Sequence, residues 1–204
     1  MNRQLPTVFF TPSEGENKKT FSDFVDKLDL SFIKPGYLVG IKVHWGESGN
    51  ITFMSPELTR IIINKIYKLQ AKPFVFDTNV LYQGSRRNGI DNLMTAYRHG
   101  FSIDSLGAPV IVADGIQGHD TIDIPAPGDK TVNVTTIINQ ADAFIIFSHF
   151  KGHMVSGFGG ALKNLSMGFA SRAEKQRMHA DVTPALRKES LCISCKMCAL
   201  HCPV

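Results

Sequence analysis

Three stretches of the chain repeat apolar residues at helical spacing. Phe21, Phe24, Val25 and Leu28 fall at i, i+3, i+4 and i+7. Leu58, Ile61, Ile62, Ile66 and Leu69 carry one face through three turns. Ile90, Leu93, Met94 and Tyr97 repeat the first spacing. Each predicts an amphipathic helix. The second has a clear start, with Ser55 as N-cap, Pro56 at the first helical position and Glu57 in the first turn.

Between these helices the pattern changes to short, nearly continuous apolar runs. They are "YLVGIKV" (37–43), "PFVFD" (73–77), "PVIVAD" (109–114) and "AFIIFS" (143–148). Continuous runs of this length are expected of strands buried on both faces. Alternation of strand and helix predicts an α/β fold, a mostly parallel sheet with helices on both faces. "DTIDIP" and "KTVNV" alternate apolar and polar positions across "APGD", which predicts an antiparallel hairpin added to that core. Helical and strand patterns end near 181–190. The chain thus divides into an α/β domain, 1–186, and the start of a small C-terminal module, 187–204.

Composition adds limits. The chain has 204 residues, 43% apolar and 20% charged, enough for one sizeable core and an appendage. No apolar stretch approaches the ~18 residues of a membrane span. The opening residues lack the apolar core and cleavage site of a secretory signal, so a cytoplasmic location is expected. The net charge of +4 is uneven: residues from Lys151 onward carry +5 and the first 150 carry −1. An anionic cofactor or acidic partner would use that excess, and a solvated face would equally account for it. No nucleic-acid-binding motif is present.

Each buried run ends in polar residues. "IKV" leads to His44, "FVF" to Asp77-Thr78-Asn79, "VIVA" to Asp114 and "IIFS" to His149, Lys151 and His153. Ligands of open parallel sheets bind beyond the carboxyl ends of the strands, so these residues are expected along one edge. Asp77 and Asp114 read equally well as turn or cap residues. His99 and His119 read as surface residues. The stretch "SHFKGHMVSGFGGALKNLSMG" (148–168) places Gly157, Gly159 and Gly160 before a helix starting at Ala161. Glycines admit close backbone approach and a helix start favours anions, so cofactor binding is expected there. Lys163 falls in that helix's first turn, against the dipole, which invites a functional explanation. Neither the dinucleotide nor the P-loop glycine motif is met.

All four cysteines lie in "LCISCKMCALHCPV". Cys192, Cys195, Cys198 and Cys202 have the C-x2-C-x2-C-x3-C-P spacing of iron–sulfur ligands. Structural zinc would need a second knuckle, and a disulfide framework would spread its cysteines along the chain. A [4Fe–4S] cluster is therefore the expected cofactor of the intact protein. In two-cluster ferredoxins the fourth cysteine of this run serves the other cluster. By that rule this chain alone holds no intact pair of clusters.

"GIKVHWGE", "FDTNVLYQGSRRN", "HGF", "VADG" and "SHFKGHMVSGFGGALKNLSMGFASRAEK", followed by "CISCKMCALHCP", resemble a family of iron–sulfur cluster-binding proteins in which a domain of unknown function is joined to a ferredoxin module. Its members continue with a second cysteine run and a further α/β segment, so the chain reads as a piece of a longer protein. His153–Lys163 is also similar to a segment of the nickel-dependent lactate racemase family. That resemblance implies His153 as a proton-transfer base, Lys163 as the attachment point of a nickel-pincer nucleotide and His179 as a metal ligand. The second catalytic histidine of that family has no counterpart at Asp77-Thr78-Asn79.

Three functions follow as expectations. The first is a redox enzyme, with His44, His149, His153 and Lys163 lining a substrate pocket and electrons arriving from the cluster. The second is a non-redox metalloenzyme built on His153, Lys163 and His179. The third is an electron carrier or ligand-binding module without its own reaction. The expected partners are a redox protein or a small-molecule substrate, with no nucleic acid and no membrane.

Overall fold

The computed structural model describes residues 7–12, 17–128, 130–153, 157–179 and 188–197, with the side chain of His153 excepted. In chain order the elements are α1 (Lys18–Asp26), β1 (Leu38–Lys42), α2 (Pro56–Lys68), β2 (Lys72–Asp77), α3 (Gly89–Arg98) and α4 (Ile103–Leu106). Then come β3 (Val110–Val112), β4 (Thr121–Ala126), β5 (Lys130–Thr135), a 3-10 turn (Thr136–Asn139) and β6 (Ala143–Ile146). The chain continues through β7 (Lys151–His153), β8 (Gly157–Gly159), α5 (Ala161–Phe169) and α6 (Arg172–Met178) to a 3-10 turn at Glu189–Leu191.

Four strands form one parallel sheet in the order β3-β2-β1-β6. Successive side chains of a strand point to opposite faces, and here both faces are apolar. Val39, Ile41, Val43 and Val75 join Ile62, Ile63 and Ile66 of α2 in one core, with Val25 of α1. Phe74 and Phe76 face the other way, into a second cluster with Ile137 and Phe169 of α5. This two-sided burial accounts for the continuous apolar runs. Gly40 of β1 makes room for the second cluster: a Cβ there would stand 2.8 Å from the Phe144 ring and 2.9 Å from Phe76.

β4 and β5 pair antiparallel as the alternation predicted, in a separate two-stranded sheet. Ser55 caps α2 through the amide of Leu58, with Pro56 inside the first turn. Two expectations need correction. The apolar stripe of α3 does not face the core; Gly89, Asn92, Thr95 and Ala96 do. His99 is not a simple surface residue. Its Nδ1 lies 2.5 Å from the carbonyl oxygen of Trp45, and its ring stacks on Phe53 at 4.3 Å. No helix among the described residues is long and apolar enough to cross a membrane.

Candidate functional site

The sheet order reverses direction once. From β1 the chain moves outward to β2 and β3, then returns to place β6 on the other side of β1. The crevice beyond the carboxyl ends of β1 and β6 is the topological switch point, where such sheets bind ligands. His44 follows β1 and His149 follows β6. Their rings stack across the crevice with centroids 5.9 Å apart. Trp45, fully buried and bonded through Nε1 to Asn92 at 2.8 Å, fixes the chain immediately after His44.

Beneath the two histidines lies a buried charge network. Lys42, the last residue of β1, is 1% exposed and points to the α5 side of the sheet. Its Nζ donates to Asp77 Oδ1 at 2.6 Å, Asn164 Oδ1 at 2.7 Å and the Val43 carbonyl at 2.9 Å. Three acceptors, one of them charged, require the ammonium form. Arg86 donates to the other Asp77 oxygen at 2.8 Å and to Glu47 at 2.6 Å. Two cations and two carboxylates thus neutralise each other, as buried charges must. Burial alone would push the Asp77 carboxyl up. Lys42, His44 and Arg86 outweigh it and hold Asp77 well below the usual carboxylate range. His44 Nδ1 stands 3.9 Å from Asp77 Oδ2, too far for a hydrogen bond but close enough for attraction when charged.

Asn164 of α5 joins the two strands at the switch point. Besides receiving Lys42, its Nδ2 donates to the Ser148 hydroxyl at 2.9 Å and the Phe147 carbonyl at 3.3 Å. Gly168, one turn on, lets α5 lie against Lys42. A Cβ there would meet Lys42 Cε at 2.8 Å. Lys175 of α6 closes the other side by donating to Asn79 O, Ala170 O and Thr78 Oγ1 at 2.8, 2.8 and 3.0 Å. Burial pulls its ammonium down to about 8, against the pull of Asp114 and Asp77.

These elements enclose a cavity of about 560 Å³, a size suited to a small-molecule ligand. His44, Asp77, His149, Gly159, Gly160, Lys163 and His179 line it, as does Lys151. Burial, then His44 and Lys151, lower the pKa of His149. Burial and Lys151 likewise lower that of Lys163. Gly160 precedes α5 without a side-chain cap. Gly157 and Asp114 are not among the lining residues. Gly157 pairs with His153 in the β7–β8 hairpin, so the glycine-rich stretch is a strand pair leading into α5. Asp114 is fully buried and accepts from the Asn79 amide at 2.9 Å and its side chain at 3.0 Å, the turn-forming role. Burial raises its pKa. The side chain of His153 lies outside the described residues.

His179 ends α6, its Nδ1 2.7 Å from the Lys175 carbonyl. A carbonyl only accepts, so Nδ1 is the donor, and in the neutral ring Nε2 is the nitrogen able to take a ligand. No group of three or more His, Cys, Asp or Glu side chains is placed to hold a metal among the described residues. Cys192 and Cys195 are exposed free thiols, and Ser194 and Lys196 beside them have left-handed backbones. Left-handed residues other than glycine are uncommon, and such turns aim backbone N–H groups at anions. Exposed thiols on a tightly turned loop fit an anionic thiolate cluster. Cys198 and Cys202 lie outside the described residues.

Lys42, Arg86, Asn164 and Lys175 escaped the sequence reading. The one available signal was Lys42, a charge inside a continuous apolar run. The long-range partners of the other three leave no local pattern.

No curated protein and no solved structure matches the chain. One family does, over residues 39–201, from β1 to the residue before Cys202: the domain of unknown function DUF362. The chain belongs to the DUF362 family.

Proposed function

We propose that this chain is the substrate-binding part of an iron–sulfur redox enzyme that reduces a small anionic molecule between β1 and β6. The observation that carries the reading is the cavity's lining at the switch point. His44, His149, Lys151 and Lys163 surround it, while its one described carboxylate, Asp77, is already held by Lys42 and Arg86. Lys151 and Lys163 bring positive charge to the lining, beside the uncapped start of α5.

Cys192, Cys195, Cys198 and Cys202 would hold [4Fe–4S] clusters, Cys202 serving a second one. A bound cluster supplies electrons one at a time. His149, kept neutral near pH 7 by its lowered pKa, moves protons between the bound molecule and solvent. Lys151 and Lys163 orient the anion. A redox protein is the expected electron source.

The test uses full-length protein prepared without oxygen, its cluster reduced with dithionite and the excess removed. Small carboxylates and phosphates are then screened for rapid reoxidation of the cluster. The reading predicts that at least one reoxidises wild type and fails with Lys163→Ala, cluster absorption being equal. Equal reoxidation by both proteins contradicts the assigned pocket.

A second reading, the racemase-like site, draws on one observation: Lys163 and His179 line the same cavity. On that reading Lys163 carries a nickel-pincer-type cofactor and His179 holds its metal through Nε2. Intact mass measured on protein from its native host decides it. An unmodified Lys163 counts against it.

A further inference from the structure

The outward face of α3 is inverted. A helix on a sheet ordinarily buries its apolar stripe. Here the stripe faces solvent, with Ile90 63%, Leu93 42%, Met94 45% and Tyr97 62% exposed. Ile116, 60% exposed, adjoins its N-terminal end, because the Gly89 amide donates to the Ile116 carbonyl at 2.8 Å. Single exposed apolar residues are ordinary, but a contiguous stripe marks an interaction surface.

We propose that this stripe packs against the same stripe of a second copy of the chain, the two α3 helices running antiparallel about a two-fold axis. Charge argues for self-pairing. Asp91 and Arg98 are both exposed and lie seven residues apart, hence on the same flank of the stripe. A two-fold axis across the helices reverses their direction and keeps that flank together. Asp91 of each copy then faces Arg98 of the other, and the ion pair forms twice.

Shape argues the same way. A cavity of about 580 Å³, lined by Arg87, Ile90, Asp91, Ile116 and Arg172, opens at the N-terminal end of the stripe. Tyr97 stands at the opposite end. The antiparallel arrangement carries Tyr97 of the second copy toward that cavity. A hollow at one end and an aromatic knob at the other match an inverted copy of themselves. Tyrosine seated in a pocket is the usual anchor of such interfaces. Nothing in this inference depends on the proposed redox reaction.

Sedimentation velocity over a wide concentration range tests it on the whole chain. Wild type is expected to form a species of twice the monomer mass. Met94→Glu and Tyr97→Glu are expected to return it to monomer with unchanged circular dichroism, since both side chains are exposed. Asp91→Lys and Arg98→Glu should each weaken the dimer by roughly tenfold, and the double exchange should restore it. A monomer at every concentration overturns the proposal. So does a dimer indifferent to all these changes, or cross-linking of α3 to another segment of the same chain.

Discussion

Asp77 binds two buried cations at once, and its loss would leave both without their shared partner. Asp77→Asn is expected to cost about 3–5 kcal/mol in urea unfolding, the range for breaking a buried ion pair from one side. The acid limb should respond too. Because the folded pKa is depressed, Asp77 contributes its full stabilisation above the unfolded value of about 3.9 and loses it as pH falls toward the folded value. Asp77→Asn should flatten that loss. Lys175 works in the opposite direction. Between about 8 and its ordinary 10.5 the unfolded chain keeps a proton that the folded chain releases, so its contribution to stability rises with pH. Lys175→Met should remove that slope from the alkaline stability curve. At the crevice, His149 should titrate below the ordinary 6.5 in a proton NMR titration. Its midpoint should rise in His44→Gln, because charge on His44 is one cause of the lowering.

Among the elements, α5 is the one most tightly fitted to the site. Gly168 lies against a lysine held by three acceptors, so a methyl group there has no flexible neighbour to push aside. Alanine would gain up to about 1 kcal/mol of helix propensity. The clash should cost more, about 1–3 kcal/mol by the usual penalty for overpacking. Gly168→Ala is therefore expected to lower the thermal midpoint, where the same change on a free helix would raise it. The helices also show where periodicity misleads. Spacing found α3 but could not tell which face is inside, because Asn92 and Thr95 are buried by specific hydrogen bonds that carry no apolar signal. Gly159 and Gly160 showed where the backbone comes close to the cavity. The pairing of Gly157 and Gly159 with β7 depends on strand register, which spacing does not encode.

For the molecule as a whole, the parallel sheet was legible because two apolar faces leave continuous runs along the chain. The strand ends then named His44, Asp77 and His149 before their positions were known, and the switch point brings them to one cavity. What the runs could not supply was the balance of charge beneath the site. Lys42, Arg86 and Lys175 meet partners from 9 to 97 residues away in sequence. Asp114 shared the strand-end pattern and became a turn anchor, which shows that position at a strand end does not by itself assign a role. Of the basic residues after position 150, Lys151, Lys163 and Lys175 line one cavity.

The central claim is that the cysteine run holds a redox-active cluster that serves this cavity. The most direct measurement is the absorption and electron paramagnetic resonance of full-length protein purified without oxygen, before and after dithionite. The account predicts brown protein whose visible absorption bleaches on reduction as a paramagnetic signal appears, with both diminished when Cys192, Cys195 and Cys198 are replaced by alanine. Colourless protein without iron, or protein whose cysteines hold zinc, would contradict it.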